Sequence, residues 1–250
     1  MDACELLAQV TAAVDYLRVS TGPAPAGRQW LRCGPLVSEP DALLALVRST
    51  AAGRGTDRDD VAMSLFVQGY SFRVASIAVG GWLVGDAVID VSPASTSIAL
   101  GRDRPNAVHL DDPRLVEADL HDHLIGRHLA LLVDTAHRAC RVGEPLLWGN
   151  VGASCAASFA AFVDPLPDRR AEIRDRAELF FATARPELAR SGRVVRVGSR
   201  WAWERTACCL WYQTESGFKC EDCSLWSTAD RAARYAAMQT DEAQIEEASQ

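Results

Sequence analysis

Leu7, Val10, Val14 and Leu17 recur at three- and four-residue intervals, which predicts an amphipathic helix over residues 3–18. The loop STGPAPAG follows, and a second helix starts near Pro40, with Ser38 or Glu39 close to its cap and the proline at an early helical position. A third helix starts at Asp59 or Asp60 and runs into the seventies. The short runs AVIDVS and TSIAL have strand character and lead into the turn-rich GRDRPN. Helical periodicity returns from about Pro113 to Arg141 and stops at Gly143, with Pro145 just beyond. Asn150 and Asp168 read as caps of two further helices, the first small and apolar, the second amphipathic and charged. RVVRVG reads as a strand, and a last helix starts near Thr228 and frays into an acidic tail. The pattern predicts an α+β fold, mainly helical, without repeats or a low-complexity linker.

Composition divides this plan in two. Trp201, Trp203, Trp211 and Trp226 crowd the last fifty residues, whereas three tryptophans serve the preceding 200. This predicts a larger domain over residues 1–200 and a small module over 201–250. With Lys+Arg 26 against Asp+Glu 33 and a net charge of −7, a general surface for nucleic acid is not expected. The first twenty residues carry no basic run ahead of an apolar core, so no secretory signal is read. The most apolar stretch, Val61 to Gly85, has Arg73 at its centre. That arginine would cost roughly 2.5 to 3.5 kcal/mol in a bilayer, so the stretch reads as buried core and no transmembrane span is predicted. The expected location is the cytoplasm, where clustered cysteines bind metal more often than they form structural disulfides.

Four of the eight cysteines fall in CCLWYQTESGFKCEDC, residues 208 to 223. Cys220 and Cys223 form a C-x-x-C turn that lets two sulfurs converge on one ion. The other half is the vicinal pair Cys208 and Cys209, whose Cα atoms stand about 3.8 Å apart. So short a link leaves little freedom to wrap both thiolates around the same tetrahedral ion. A binuclear iron-sulfur cluster relaxes that demand, because each of its irons needs two thiolates. Leu210, Trp211, Tyr212, Phe218, Leu225 and Trp226 would shield such a centre, or simply pack a small module. The remaining cysteines, Cys4, Cys33, Cys140 and Cys155, read as buried small hydrophobes.

The spacing C-C-x10-C-x2-C resembles that of the FhuF-like ferric siderophore reductases, and LLWGNVGAS (Leu146 to Ser154) is similar to a Trp-x-Asn stretch of that family's larger domain. The resemblance implies a 2Fe-2S cluster on Cys208, Cys209, Cys220 and Cys223, and an oxidoreductase that passes one electron to Fe(III) held by a siderophore, releasing Fe(II) for iron acquisition. The chemistry is coherent, since hard oxygen chelators hold the more highly charged ion far better. No G-x-G-x-x-G follows a strand, so the electron is expected from an external donor, a ferredoxin or a flavin-dependent reductase. Peripheral docking at the inner membrane face stays open. Two readings from other classes also stay open: a zinc-stapled ligand-binding protein, and an iron-sulfur redox sensor without siderophore turnover.

Other residues are weighed for the substrate. Tyr70, Arg73, Trp148 and Asn150 are polar or aromatic groups on otherwise apolar segments and are candidates for a siderophore pocket, against buried structural roles. Arg196, Arg200 and Arg205 have few acidic neighbours in sequence and are candidates to attract an anionic siderophore or an acidic ferredoxin. The other arginines of DRRAEIRDRAE alternate with acids and read as a salt-bridged solvated face. His109, His121, His123 and His128 invite a metal reading, but on an α-helix His121 and His128 share a face while His123 points nearly opposite. GASCA (Gly152 to Ala156) lacks the final glycine of a nucleophile elbow and reads as a closely packed helix turn.

Overall fold

The computed structural model describes residues 1–198 and 200–248, and among these the side chains of Arg200 and of residues 239–248 lie outside the description. Helices predominate, with three small sheets, so the fold is mainly helical α+β as predicted.

The fold is built around one long helix. In chain order the main helices are α1 (Ala3–Ala13), α2 (Pro40–Ala51), α3 (Asp59–Gly85), α4 (Ala130–Ala139), α5 (Glu144–Ala160), α6 (Arg170–Ala182) and α7 (Thr228–Ala248). Helix α3 starts where its acids predict: Asp59 and Asp60 occupy the first turn, where they complement the helix dipole, and Asp59 pairs with Arg48 at 2.5 Å. It ends at Asp86, whose left-handed backbone (φ 52°) sends its N–H back to Gly81 O. Two arginines of the charged α6 region complete this end: Arg169 donates to Leu83 O (2.5 Å), and Arg176 donates to Trp82 O (2.8 Å) and pairs with Asp86. These two therefore cap α3, beyond the solvated role expected of the arginine run.

Helix α3 is long and apolar enough to cross a membrane, yet 78% of its apolar window is buried inside the fold. It is apolar all round because neighbours surround it. Helix α5 runs beside it, and small side chains along GNVGASCAAS let three polar contacts join the pair. Asn150 Nδ2 donates to Ser64 O, Ser154 Oγ to Gln68 O, and Ser158 Oγ meets Ser76 Oγ at 3.1 Å. Ser154 lies mid-helix and bonds a neighbour's carbonyl, so GASCA is the packed turn expected of it.

Strands β1 (Val19–Thr21), β2 (Trp30–Arg32), β4 (Thr96–Leu100) and β5 (Pro105–Leu110) form one sheet in the order β1-β5-β4-β2. Only the β1–β5 pairing in it is parallel. Strand β3 (Val88–Ile89) pairs with β6 (Leu115–Val116), and β7 (Gly192–Val197) pairs with β8 (Arg200–Arg205) in a hairpin. Several expectations need correction. Helix α1 stops at Ala13, short of residue 18, and the region from Pro113 first makes β6 before turning helical. Asn150 is no cap: α5 starts at Glu144, and Asn150 sits inside it because its partners come from other elements. Asp168 lies in a short 3-10 turn ahead of α6. Cys33 and Cys155 are buried as expected, whereas Cys4 is exposed and Cys140 is half-buried.

The histidine-rich segment holds the largest departure. His121–Leu129 is a π-helix, whose i to i+5 period places His123 and His128 on one side. Both reach the same residue: His123 Nε2 accepts from Val91 N–H (3.0 Å), and His128 Nδ1 donates to Val91 O. His128 Nε2 then accepts from Tyr70 O–H at 2.6 Å. Burial pushes His128 down from 6.5 to about 4 and pushes the nearby His123 down as well.

Between pH 6.5 and 4 the unfolded chain therefore binds a proton at residue 128 that the folded chain does not. Stability is intact above pH 6.5 and falls as pH drops toward 4, by about 3 kcal/mol from this one group. Urea denaturation of the native chain across that range, compared with a His128→Gln variant, should show a distinctly shallower acid loss in the variant.

Candidate metal centre

The cysteine segment docks on the N-terminal half of α3. Cys209 packs with Val61 and Leu65, flanked by Leu210, Trp211 and Cys220. Glu215 N–H donates to Gly55 O (2.9 Å), and Arg58 donates to Gln213 Oε1 (2.6 Å), so the loop between the two cysteine pairs is tied to the residues just before α3. Leu210 has a left-handed backbone (φ 66°), unusual for a branched side chain. The turn brings its N–H to 3.4 Å from Cys208 Sγ. At the other pair, Cys223 N–H donates to Cys220 O (3.1 Å), and Trp226 Nε1 donates to the same carbonyl (2.9 Å). Lys219 and Arg234 both lie over the Trp226 ring, at 4.7 and 5.1 Å from its centroid.

These contacts bring two of the four thiols close together. Cys209 Sγ and Cys220 Sγ stand 3.8 Å apart. Two thiolates on one tetrahedral ion, with metal–sulfur bonds of about 2.3 Å, stand about 3.8 Å apart as well. Cys209 and Cys223 are buried, whereas Cys208 and Cys220 are half-exposed. Cys208 shares a hydrogen bond with Cys209 and feels the charge of Cys223. Hydrogen bonds from Cys208 and Cys220, together with the field of Arg205, hold the Cys209 thiol far below its ordinary range. The donors Cys208 and Cys220 are pushed up in return. Among the described residues, no three His, Cys, Asp or Glu side chains converge as one isolated ion requires.

Arg205 is the feature that sequence reasoning placed wrongly. It was a candidate for attracting partners at the surface, yet its side chain has no exposed area. Its Nη2 donates to Asn150 Oδ1 (2.6 Å), Asp222 lies 3.6 Å from Nη1, and Nε and Nη1 have no hydrogen-bond partner. Asn150 Nδ2 in turn donates to Ser64 Oγ (2.8 Å), and Ser64 Oγ donates to Cys209 O (2.7 Å). One hydrogen-bonded chain thus runs Arg205, Asn150, Ser64, Cys209, and it joins β8, α5, α3 and the vicinal cysteine pair. Helix α5 can serve as this platform because it is narrow here: a Cβ on Gly149 would stand 2.9 Å from the Ala207 Cβ.

The other candidate residues are dispersed. Tyr70 is fully buried and bonded to His128. Arg73 donates to Tyr16 O (2.8 Å) and lies over the Tyr16 and Phe72 rings. Trp148 is buried under Arg185, 4.8 Å from its ring centroid. Arg196 finds in space the acid it lacks in sequence, pairing with Glu178 at 3.1 Å. The side chain of Arg200 is outside the described residues. Of the six whose side chains are described, only Asn150 and Arg205 are linked to the cysteines.

Comparison with known families now bears on this site. The family described as "Ferric iron reductase FhuF-like transporter" matches residues 66–197, more than half of the chain. The chain belongs to this FhuF-like family. The match covers most of α3, all of α5 and strand β7, and it ends ahead of the cysteines; within it Asn150 bonds Ser64, which lies just before the matched region and holds the Cys209 carbonyl. No curated protein matches the chain.

The residues present suit a thiolate-ligated metal group. Two thiols of a four-cysteine segment approach to 3.8 Å, and the charge of the buried Arg205, whose Nε and Nη1 have no hydrogen-bond partner, reaches Cys209. Replacing Arg205 by Met should therefore raise the pH at which the metal-free protein develops thiolate absorbance in the ultraviolet, and Arg205→Lys should raise it less. Asn150→Ala, which strips the guanidinium of its amide acceptor, should destabilise the fold by about 3 kcal/mol in chemical denaturation.

Proposed function

We propose that the chain is a ferric siderophore reductase in which Cys208, Cys209, Cys220 and Cys223 hold a 2Fe-2S cluster. The observation that carries the reading is the close approach of Cys209 and Cys220 within the four-cysteine segment, joined through Ser64 and Asn150 to the buried, partly unpartnered Arg205. A thiolate cluster is anionic, and a guanidinium with no exposed surface needs such a partner. Membership of the FhuF-like ferric iron reductase family supplies the direction of the chemistry. When bound, such a cluster supplies one electron, the number that converts siderophore-held Fe(III) to Fe(II) and so loosens its hold on hard oxygen ligands. A reduced ferredoxin or a flavin-dependent reductase replaces that electron.

The chain's own residues divide the remaining work. Ser64 and Trp226 fix the carbonyls of Cys209 and Cys220, so the ligand loops keep their shape in either charge state. Leu210, Trp211, Val61 and Leu65 pack around Cys209 and limit water at the buried side. We take residues 1–200 as the siderophore-interacting domain and 201–250 as the cluster module, divided at the turn of the β7–β8 hairpin. The setting we propose is the cytoplasm, where reduced donors are at hand. A structural zinc site is the competing reading, since the 3.8 Å Cys209–Cys220 spacing suits two thiolates on zinc equally well. Membership of a ferric iron reductase family favours the redox reading over it.

Colour separates the two. Protein purified without oxygen should be red-brown, bleach with dithionite and recover as ferric siderophore is added and Fe(II) appears. Each single Cys→Ser variant at 208, 209, 220 or 223 should lose colour and reductase activity together. A colourless protein with one zinc per chain, or a Cys→Ser variant with full reduction rates, would overturn the reading.

A further inference from the structure

A cavity of about 530 Å3 lies between β8, the cysteine loop and α7, and Cys223 forms part of its wall. That volume is in the range of small-ligand sites. The two flanking elements are built to face it. Along β8, alternation separates Ala202 and Glu204 from Trp203 and Arg205. The latter two turn to the interior, Trp203 against Phe181 with ring centroids 4.2 Å apart and Arg205 to Asn150. Ala202 and Glu204 line the cavity, together with Trp201 and an edge of Trp203. Along α7, Arg231, Arg234, Tyr235 and Met238 line the same space, and their spacing of three, four and seven residues is that of one helical face.

The lining is chemically mixed. Arg231 is held by Glu204, which also takes Arg193, so this guanidinium is fixed in place at the rim. Arg234 lies over the Trp226 ring and lines the cavity, as do the acids Glu221 and Asp222. Burial raises the Tyr235 phenol, which stays a neutral donor. Guanidinium and phenol donors suit the outward oxygens of a metal chelate, and Met238 and Ala202 suit its hydrocarbon arms.

We propose that this cavity seats the ferric chelate, an inference that rests on the reductase reading above. A chelate held here would lie against a cysteine of the ligand set. None of the earlier pocket candidates offers that: Tyr70 and Asn150 are fully buried and hydrogen-bonded, and the separate cavity of about 490 Å3 beside Trp148 has no cysteine in its lining. The site uses α7, which lies beyond the region matched to the family.

Gallium(III) complexes test the seat without electron transfer, because gallium(III) keeps the ferric ion's charge and similar size but is not reduced. The full-length protein is titrated with gallium complexes of a hydroxamate and of a catecholate siderophore, followed by calorimetry. Ala202→Trp and Ala237→Trp fill the cavity from its two walls. Both variants should bind the gallium chelate about tenfold more weakly or worse, while keeping the native visible spectrum and its bleaching by dithionite. If either variant keeps that spectrum and binds as the native chain does, the cavity is not the seat, whatever the fate of the reductase reading. If the native chain binds neither complex, the reductase reading falls and the seat with it.

Discussion

A guanidinium with no exposed surface sets the terms for everything around the thiols. The idealised cost of taking such an ion out of water is of order 20 kcal/mol, and several kcal/mol remain after relaxation. Arg205 has one amide oxygen at 2.6 Å and one carboxylate at 3.6 Å, and two of its nitrogens have no hydrogen-bond partner. Those groups fall short of offsetting a buried cation. Cys209 is the one thiol held low here: hydrogen bonds from Cys208 and Cys220 lower it most, and the Arg205 charge adds to them, while Cys208 and Cys220 are raised. The buried cation and the Cys209 sulfur thus favour each other.

Asn150 converts that local balance into a property of the whole fold. Asparagine is an indifferent residue for a helix interior, and here its two ends are used separately: the oxygen accepts from Arg205, while the nitrogen donates to Ser64 on the central helix. Serine or alanine could not span both. The glycines that flank it, Gly149 and Gly152, let the chain ahead of Cys208 and the β7–β8 hairpin come close. The stretch GNVG thus reads as a platform in which each residue type answers to a contact in space. The same logic explains why α3, apolar enough to pass for a membrane span, is a core helix: its buried Ser64, Ser76 and Tyr70 have partners waiting on α5 and the π-helix.

What was legible in the sequence follows from how local each signal is. The start of α3 at Asp59, the strand Gly192–Val197 and the helix from Thr228 depend on caps and periodicity within a few residues, and they appear where those signals point. The cysteine spacing was equally legible, as was the helical character of the fold. Strands β1 and β2 were missed, because three-residue strands take their shape from partners far along the chain. Asn150 was read as a cap because asparagine favours caps, and Arg205 as a surface charge because arginine favours surfaces; both averages yield to specific partners. The π-helix was hidden for a related reason. At 3.6 residues per turn His123 and His128 diverge, and only the wider i to i+5 turn lets both clasp Val91.

The cysteine loops are also arranged by contacts that involve no sulfur. Ser64 holds Cys209 by its carbonyl, Trp226 holds Cys220 by its carbonyl, and the Glu215–Gly55 bond ties the intervening loop to the body. Leu210 accepts a left-handed backbone, a cost of order 1–3 kcal/mol, and in that shape its N–H points to Cys208 Sγ. A fold that depended on metal to order its ligands would have no reason to carry such strain, since binding energy would then be folding energy. The body of the protein thus holds the cysteine loops through the backbone as well as through their side chains.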